Sequence, residues 1–263
     1  MPWFKILGGL EIIQDGRSLT PSPPKVRRVL ALFVLRAGQV VLPDSLIEEL
    51  WGRQPPKSAV TTMQTYVYHL RKMFNEEHLE TPEGELLVTR LPGYVLRIPS
   101  ESIDFQVFER LVDDGQNELG NGRPERAAAT LRRALDLWNG PVLANVSLGT
   151  VLEGHVIRLE ERRINALQLR IQADLQMGRH GDLVGELRSL AATYPLNEWF
   201  HSKLISALAY SGRRSEALHA YQNMRTVLRE ELGLDPSPDL QQLQREVLAA
   251  TLCGPENYVP AGR

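Results

Sequence analysis

Hydrophobic positions along the chain change their period several times, and each change predicts an element. Before residue 26 they run in short stretches, "FKILGG", "LEIIQDG" and "RSLTPSPPK", with Asp15-Gly16 between two of them as a tight-turn dipeptide. These predict a small antiparallel sheet. From Lys25 the spacing becomes helical, with Val26, Leu30, Phe33 and Val34 on one face and Ala37-Gly38 closing the helix before the apolar "VVL" of 40–42. "DSLIEELWG" predicts a second helix from Asp44 to Trp51, stopped by Gly52. Pro55-Pro56 then forces a turn, and Ser58 stands where a third helix needs its N-cap. In that helix Ala59, Met63, Tyr66, Val67, Leu70, Met73 and Phe74 fall on one arc. "GELLVTR" and "GYVLRIP", joined by Leu91-Pro92-Gly93, read as a hairpin. Sheet, three helices and hairpin together predict a winged helix-turn-helix with an extra N-terminal sheet, over residues 1–98.

Beyond Ser100 the pattern is almost unbroken helix with an internal repeat. Gly122, Ala127, Leu131 and Ala134 share their spacing with Gly178, Leu183, Leu187 and Leu190, and with Gly212, Ala217, Tyr221 and Met224. Gly178 to Gly212 is 34 residues, the period of tetratricopeptide repeats, while Gly122 to Gly178 is 56. About 22 residues are therefore inserted, covering "NGPVLANVSLGTVLEGHVI". A small residue five places after each glycine would let antiparallel helices approach closely. The expected class is mainly α: a winged helix, then a tetratricopeptide-like helical domain over 103–252. The junction "RIPSESIDF" is short and poor in glycine, so the second part is expected to pack on the first.

Charge sharpens this picture in one place. The chain carries 30 Lys and Arg against 32 Asp and Glu, which excludes a uniformly basic nucleic-acid binder. Residues 1–97 nevertheless hold 12 basic against 10 acidic residues, and the rest 18 against 22. From Leu50 to Asn75 there is no acidic residue, while Arg53, Lys57, Arg71 and Lys72 are all present. The third helix lies in that positive window. The single cysteine, Cys253, cannot form an internal disulfide and reads as a small apolar residue near a helix end. No secretory signal and no apolar run of bilayer length is visible, so a cytoplasmic, nucleoid-associated protein without membrane contact is expected. No phosphate-binding loop, metal-ligand spacing or nucleophile constellation is found; no catalytic residue, cofactor or metal is expected, and the chain does not read as an enzyme.

"LGGLEIIQDG", "LPDSLIEELWG", "TTMQTYVYHLRKMF", "LPGYVLRI", "RRALDLWNGPVLANV" and "SGRRSEALHAYQNMRTVLREELGLDPSPDLQQLQ" closely resemble, in order, the blocks of the Streptomyces antibiotic regulatory proteins. The resemblance runs from about Lys5 to Leu248. It implies a winged helix of the response-regulator output type (the OmpR/PhoB type), followed by a helical bacterial transcriptional activation domain. It further implies activation of a biosynthetic gene cluster by binding direct repeats near the promoter −35 element. Copies would bind side by side and recruit RNA polymerase through its sigma subunit, with the alpha C-terminal domain as a further candidate contact.

The third helix would read DNA in the major groove. Thr61, Thr62, Gln64, Thr65, Tyr68 and His69 are candidate base-facing residues, with Arg71 and Lys72 for phosphates. Where the family pattern has a small residue and then Arg, this chain has Tyr68-His69, which leaves the base reader open there. Arg90 could reach the minor groove or a phosphate from the wing. Arg53 and Lys57, in the loop before the helix, could meet phosphate or polymerase. Tyr94, Trp51, Trp138 and Trp199 fit packing roles better than base stacking, and His155, His180, His201 and His219 fit solvated or capping roles. "RLEERR" of 158–163 reads as a charged helix face. A competing reading is a protein-interaction adaptor that uses the repeats and binds little DNA.

Overall fold

The computed structural model of the chain describes residues 2–81 and 84–250. They form two compact units, one of Met1–Asn117 with Ala129–Leu167, the other of Glu118–Ala128 with the chain from Gln168 onward.

The first unit opens with β1 (Trp3–Lys5), β2 (Glu11–Gln14) and β3 (Arg17–Ser18), an antiparallel sheet in that order. The predicted hairpin turn is present: Asp15 and Gly16 both take positive φ, 51° and 78°, as a two-residue turn between right-twisted strands requires. β3 is shorter than the run "RSLTPSPPK" suggested, because its three prolines have no N–H for a ladder. Three helices follow, α1 (Pro24–Leu35), α2 (Pro43–Trp51) and α3 (Ala59–Glu76). Their boundaries lie within a residue or two of the pattern. α1 starts at a proline preceded by extended Pro23, and Gly38, at φ 78°, ends the connection behind it.

The stretch "GELLVTR" is not one strand. Leu86 divides it into β5 (Gly84–Glu85), which pairs with β4 (Glu80–Thr81), and β6 (Leu87–Arg90), which pairs with β7 (Gly93–Leu96). The β6–β7 hairpin is the wing, and its two-residue turn is Leu91-Pro92, a cis peptide. Val41 exchanges two backbone bonds with Tyr94, of 2.8 and 3.0 Å, so the "VVL" segment joins the wing's sheet. Gly93 is required there, since a Cβ would collide with the Val41 carbonyl.

The core of this half is the apolar arc of α3 against its two neighbours. Met63, Val67, Leu70 and Phe74 are all at most 2% exposed, as the periodicity predicts, with Phe33 and Leu30 of α1 and Leu46 of α2 also buried. Each such side chain contributes about 1.5–3 kcal/mol by leaving water. Tyr66 and Met73, placed on the same arc by their spacing, are only half-buried at its edge.

The chain does not leave this unit at residue 98. Ile103 pairs in parallel with Phe4, and buried Asp104 opens α4 (Asp104–Gly120), preceded by the 3-10 turn Ser100–Ser102. The Asp104 carboxylate accepts the amides of Ile6 (2.8 Å), Leu7 (2.9 Å) and Phe105 (2.7 Å). Between α5 (Pro124–Leu135) and the 27-residue α6 (Thr150–Gln176) the first part of the inserted segment, 139–149, lies as a strap over the β1–β2 connection, and its remainder forms the first turns of α6. The amides of Asn139, Leu143 and Ala144 donate to the carbonyls of Leu7, Ile6 and Gly8, and the Asn145 side chain both donates to and accepts from Leu10. Trp138 is buried edge-on to Phe108 and under the Arg163 guanidinium. The charged run 158–163 is more than a solvated face: Arg158 and Arg162 bridge to Glu109 and Asp113 of α4.

The second unit is a stack of antiparallel helices, α7 (His180–Thr193), α8 (Glu198–Tyr210), α9 (Arg214–Leu232) and α10 (Pro238–Leu248). The repeat glycines are its punctuation. Gly122, Gly178 and Gly212 take φ of 70°, 76° and 73°, each two residues before a helix, where a left-handed residue reverses the chain at little cost. Ala127, Leu183 and Ala217 five places on are all buried. Leu183 shows that what repeats there is burial rather than small size. His201 departs from the solvated expectation: it is buried, with Nε2 3.1 Å from the Pro195 carbonyl, and burial lowers its pKa. His180 stacks on Tyr210 at 4.6 Å. Trp199 is half-buried beside Phe200 and Lys203. Cys253 lies outside the described residues.

Candidate nucleic-acid interface

Because α3 buries only one stripe, its opposite face is free for another partner. Thr61, Gln64, Thr65, Tyr68, His69 and Lys72 are exposed along that face and Thr62 is half-exposed, with Tyr68 the most open aromatic, 62% exposed. Ser58 occupies the N-cap position, but its φ of −88° and ψ of 10° are not those of a capping residue, and its hydroxyl accepts no helix amide. The free amides of the first turn are thus not covered by a side-chain cap.

The individual side chains differ in how committed they are. The Thr65 hydroxyl donates back to the Thr61 carbonyl at 2.9 Å, so its donor is already used within the helix. Tyr68 and His69 lie ring to ring at 6.0 Å. His69 and Lys72 also line a cleft of about 470 Å³ with Ser18–Pro23 and Val26, so they point toward the start of α1 rather than along the axis of the exposed face. Lys72 sits 3.6 Å from Glu76, with both side chains more than half exposed; such a pair contributes little and can be exchanged for a phosphate.

Arg71 stands apart from the rest. Its Nε donates to the Leu87 carbonyl at 2.9 Å, one Nη donates to the Thr89 hydroxyl at 2.8 Å, and its guanidinium lies 5.6 Å from the Tyr94 ring. It pins the wing to α3. Tyr94 is the packing residue its sequence context suggests, edge-on to Phe33 at 6.4 Å. Arg90 is exposed beside the turn, and Leu91 at the wing tip is 90% exposed. Periodicity gives no signal for Leu91, because a turn residue belongs to neither face. Arg53 and Lys57 are both exposed in the loop 52–58, and Lys25 covers Trp51 at 5.5 Å.

α3 and its loop therefore carry ten of the candidate residues on one continuous stretch, and Arg71 holds the eleventh, on the wing, in fixed relation to it. Sequence reasoning missed Glu49. It is 1% exposed at the end of α2, and its carboxylate accepts the amides of Gly149 (2.6 Å) and Leu152 (2.9 Å). Burial raises its pKa against these bonds and the nearby Arg28. A buried Glu in a short amphipathic helix is a signal in retrospect, but its partners lie 100 and 103 residues away.

A helix-turn-helix with a pinned hairpin wing, continued into a helical repeat, defines a winged-helix, DNA-binding transcriptional activator. Comparison with known proteins agrees. Residues 17–96 match the family "Transcriptional regulatory protein, C terminal", and residues 103–248 match the "Bacterial transcriptional activator domain". The chain belongs to the Streptomyces antibiotic regulatory protein family of transcriptional regulators. It is 40% identical to the regulatory protein DnrI of Streptomyces peucetius over 94% of this chain and 92% of that one. It is 37% identical to the regulatory protein AfsR of Streptomyces coelicolor, of which it spans only 24%. The solved structure of Mycobacterium tuberculosis EmbR in complex with a low affinity phosphopeptide superposes with a TM-score of 0.88 at 33% identity, over 94% of this chain and 65% of that one. Among the described residues no helix is long and apolar enough to cross a membrane.

Proposed function

We propose that the chain activates a secondary-metabolite gene cluster by binding direct repeats near a promoter −35 element, side by side with further copies, and recruiting RNA polymerase. Residues 1–98 would supply the DNA contacts and 103–252 the contact with the transcription machinery, the sigma subunit first. The observation that supports this reading most is the outer face of α3: exposed, free of acidic residues up to Glu76, and flanked by exposed Arg53 and Lys57. A helix of that kind fits the major groove, where Thr and Gln reach base edges and Thr methyls meet thymine. Lys72, Arg53, Lys57 and Arg90 would meet phosphates, which fix register without reading sequence.

Binding of the full chain to its own upstream promoter region and to a scrambled duplex, followed by fluorescence anisotropy over a salt series, tests this. Cognate DNA should win at physiological salt, with log K falling by about 0.9 per phosphate contact for each tenfold rise in salt. Lys72→Ala should weaken all sequences alike, with a shallower slope. Thr65→Ala should change base preference, at a cost of about 1–3 kcal/mol at the affected position. Equal affinity for cognate and scrambled DNA removes the reading. It would favour the adaptor alternative, for which the second unit offers a groove of about 510 Å³ lined by Arg188, His201, Leu204, Leu208, Glu216 and His219.

A further inference from the structure

Glu49 is a buried carboxylate in the last turn of α2, four residues before Arg53 in the loop that also carries Lys57. Its two carboxylate oxygens are each occupied by a backbone amide at the start of α6, Gly149 on Oε1 and Leu152 on Oε2. On the other side Arg28 of α1 donates from Nη1 to the Glu49 carbonyl at 3.2 Å and brings its Nε within 3.9 Å of Oε1. Gly149 has no room for a Cβ, which would collide with the Glu49 carbonyl and stand 2.7 Å from Oε1. The junction is therefore built for close approach. It also complements the helix dipole, since a carboxylate on the free first-turn amides of a long helix is stabilised there.

Two residues after Glu49, Trp51 ends α2, and Gly52, at φ 59°, turns the chain into the loop. We propose that Glu49 is a positioning residue for DNA binding. By holding the amides that open α6 it fixes where loop 52–58 begins, so that residues 149–152, about a hundred residues along the chain, set how well Arg53 and Lys57 reach phosphate. This rests on the reading of α3 and its loop as the DNA-facing surface. A segment of the activator-domain match thereby becomes part of the DNA-reading apparatus, and affinity for DNA and the closure of this junction are coupled in both directions.

The test uses the full chain. Wild-type binding to cognate promoter is measured first; its absence removes the DNA reading itself and is recognised before any variant is made. With binding established, Glu49→Gln keeps the volume but turns an amide NH2 toward a backbone N–H. Affinity should fall by about 3- to 30-fold. The salt slope should become shallower by about 0.9 for each lost phosphate contact. A role confined to stability would lower the unfolding midpoint and leave slope and affinity at assay temperature unchanged, and that result overturns the inference. Should the variant not fold, hydrogen exchange on the wild-type chain decides. Cognate DNA should slow exchange at the Gly149 and Leu152 amides, and exchange unaltered by DNA overturns it.

Discussion

The two units are held together in opposite ways. In the first, the defining polar contacts join residues far apart in sequence: Ile6 and Leu7 to Asp104, 98 and 97 residues away, Leu10 to Asn145 at 135, and Gly149 to Glu49 at 100. In the second, they join near neighbours: Arg188 to Glu216 at 28, Arg214 to Val247 at 33, and Ser237 to Glu198 at 39. A repeat stack makes each helix pair's partner its next neighbour, whereas a surface that must hold a helix and a wing in one pose is closed by distant chain segments. Precision at the candidate DNA face thus rests on contacts that no local pattern specifies.

Cutting a long-range contact should do the most damage. Asp104→Ala leaves the buried amides of Ile6, Leu7 and Phe105 without their acceptor and should cost about 3–5 kcal/mol. Glu198→Ala removes one acceptor from Ser237 and should cost about 1 kcal/mol. Urea unfolding of both variants ranks them, and equal costs would erase the contrast between the units.

The same carboxylate gives a pH signature. Burial lifts the Asp104 pKa from 3.8 to about 6 against the three amides that favour its charged form. Its folded pKa lies above its unfolded one, so its stabilising contribution is complete below about 3.9 and lost as pH rises through 6, up to about 3 kcal/mol. Between pH 4 and 6, Asp104→Asn should flatten the stability profile relative to wild type. Parallel profiles would show that the side chain does not titrate in this window.

Helix caps give the smallest effect, and they reverse the comparison. Asn197 accepts the Trp199 amide at 3.2 Å and caps α8, so Asn197→Ala should cost about 1 kcal/mol. Ser58 stands at the N-cap of α3 without accepting a bond, so Ser58→Ala should stay within about 0.5 kcal/mol in thermal unfolding. A loss of 1 kcal/mol at Ser58 would mean that its hydroxyl caps α3 in solution.

Much of this was legible in advance. The arc of α3, the Asp15-Gly16 turn and the wing hairpin follow from periodicity and turn chemistry. The repeat glycines follow from spacing alone, because a left-handed residue between helices is a local demand. The exposed residues of α3 were legible as the complement of its buried arc. Arg71 was not: its type and its place beside Lys72 suggested a phosphate contact, and only the wing's position shows that its guanidinium is bound to Leu87 and Thr89. The division of "GELLVTR" at Leu86 was equally hidden, since both halves alternate correctly and the choice of partner strand decides between them.

The sequence by itself determined the order of elements, the buried face of each and the positive window from Leu50 to Asn75, because each is set by neighbours within a few turns of the chain. Tertiary structure alone decided that the inserted segment straps residues 6–10, that Asp104 and Glu49 hold backbone amides about a hundred residues away, and that Arg71 fixes the wing. A buried carboxylate must find donors, and composition cannot say which of the many distant amides will be brought within reach.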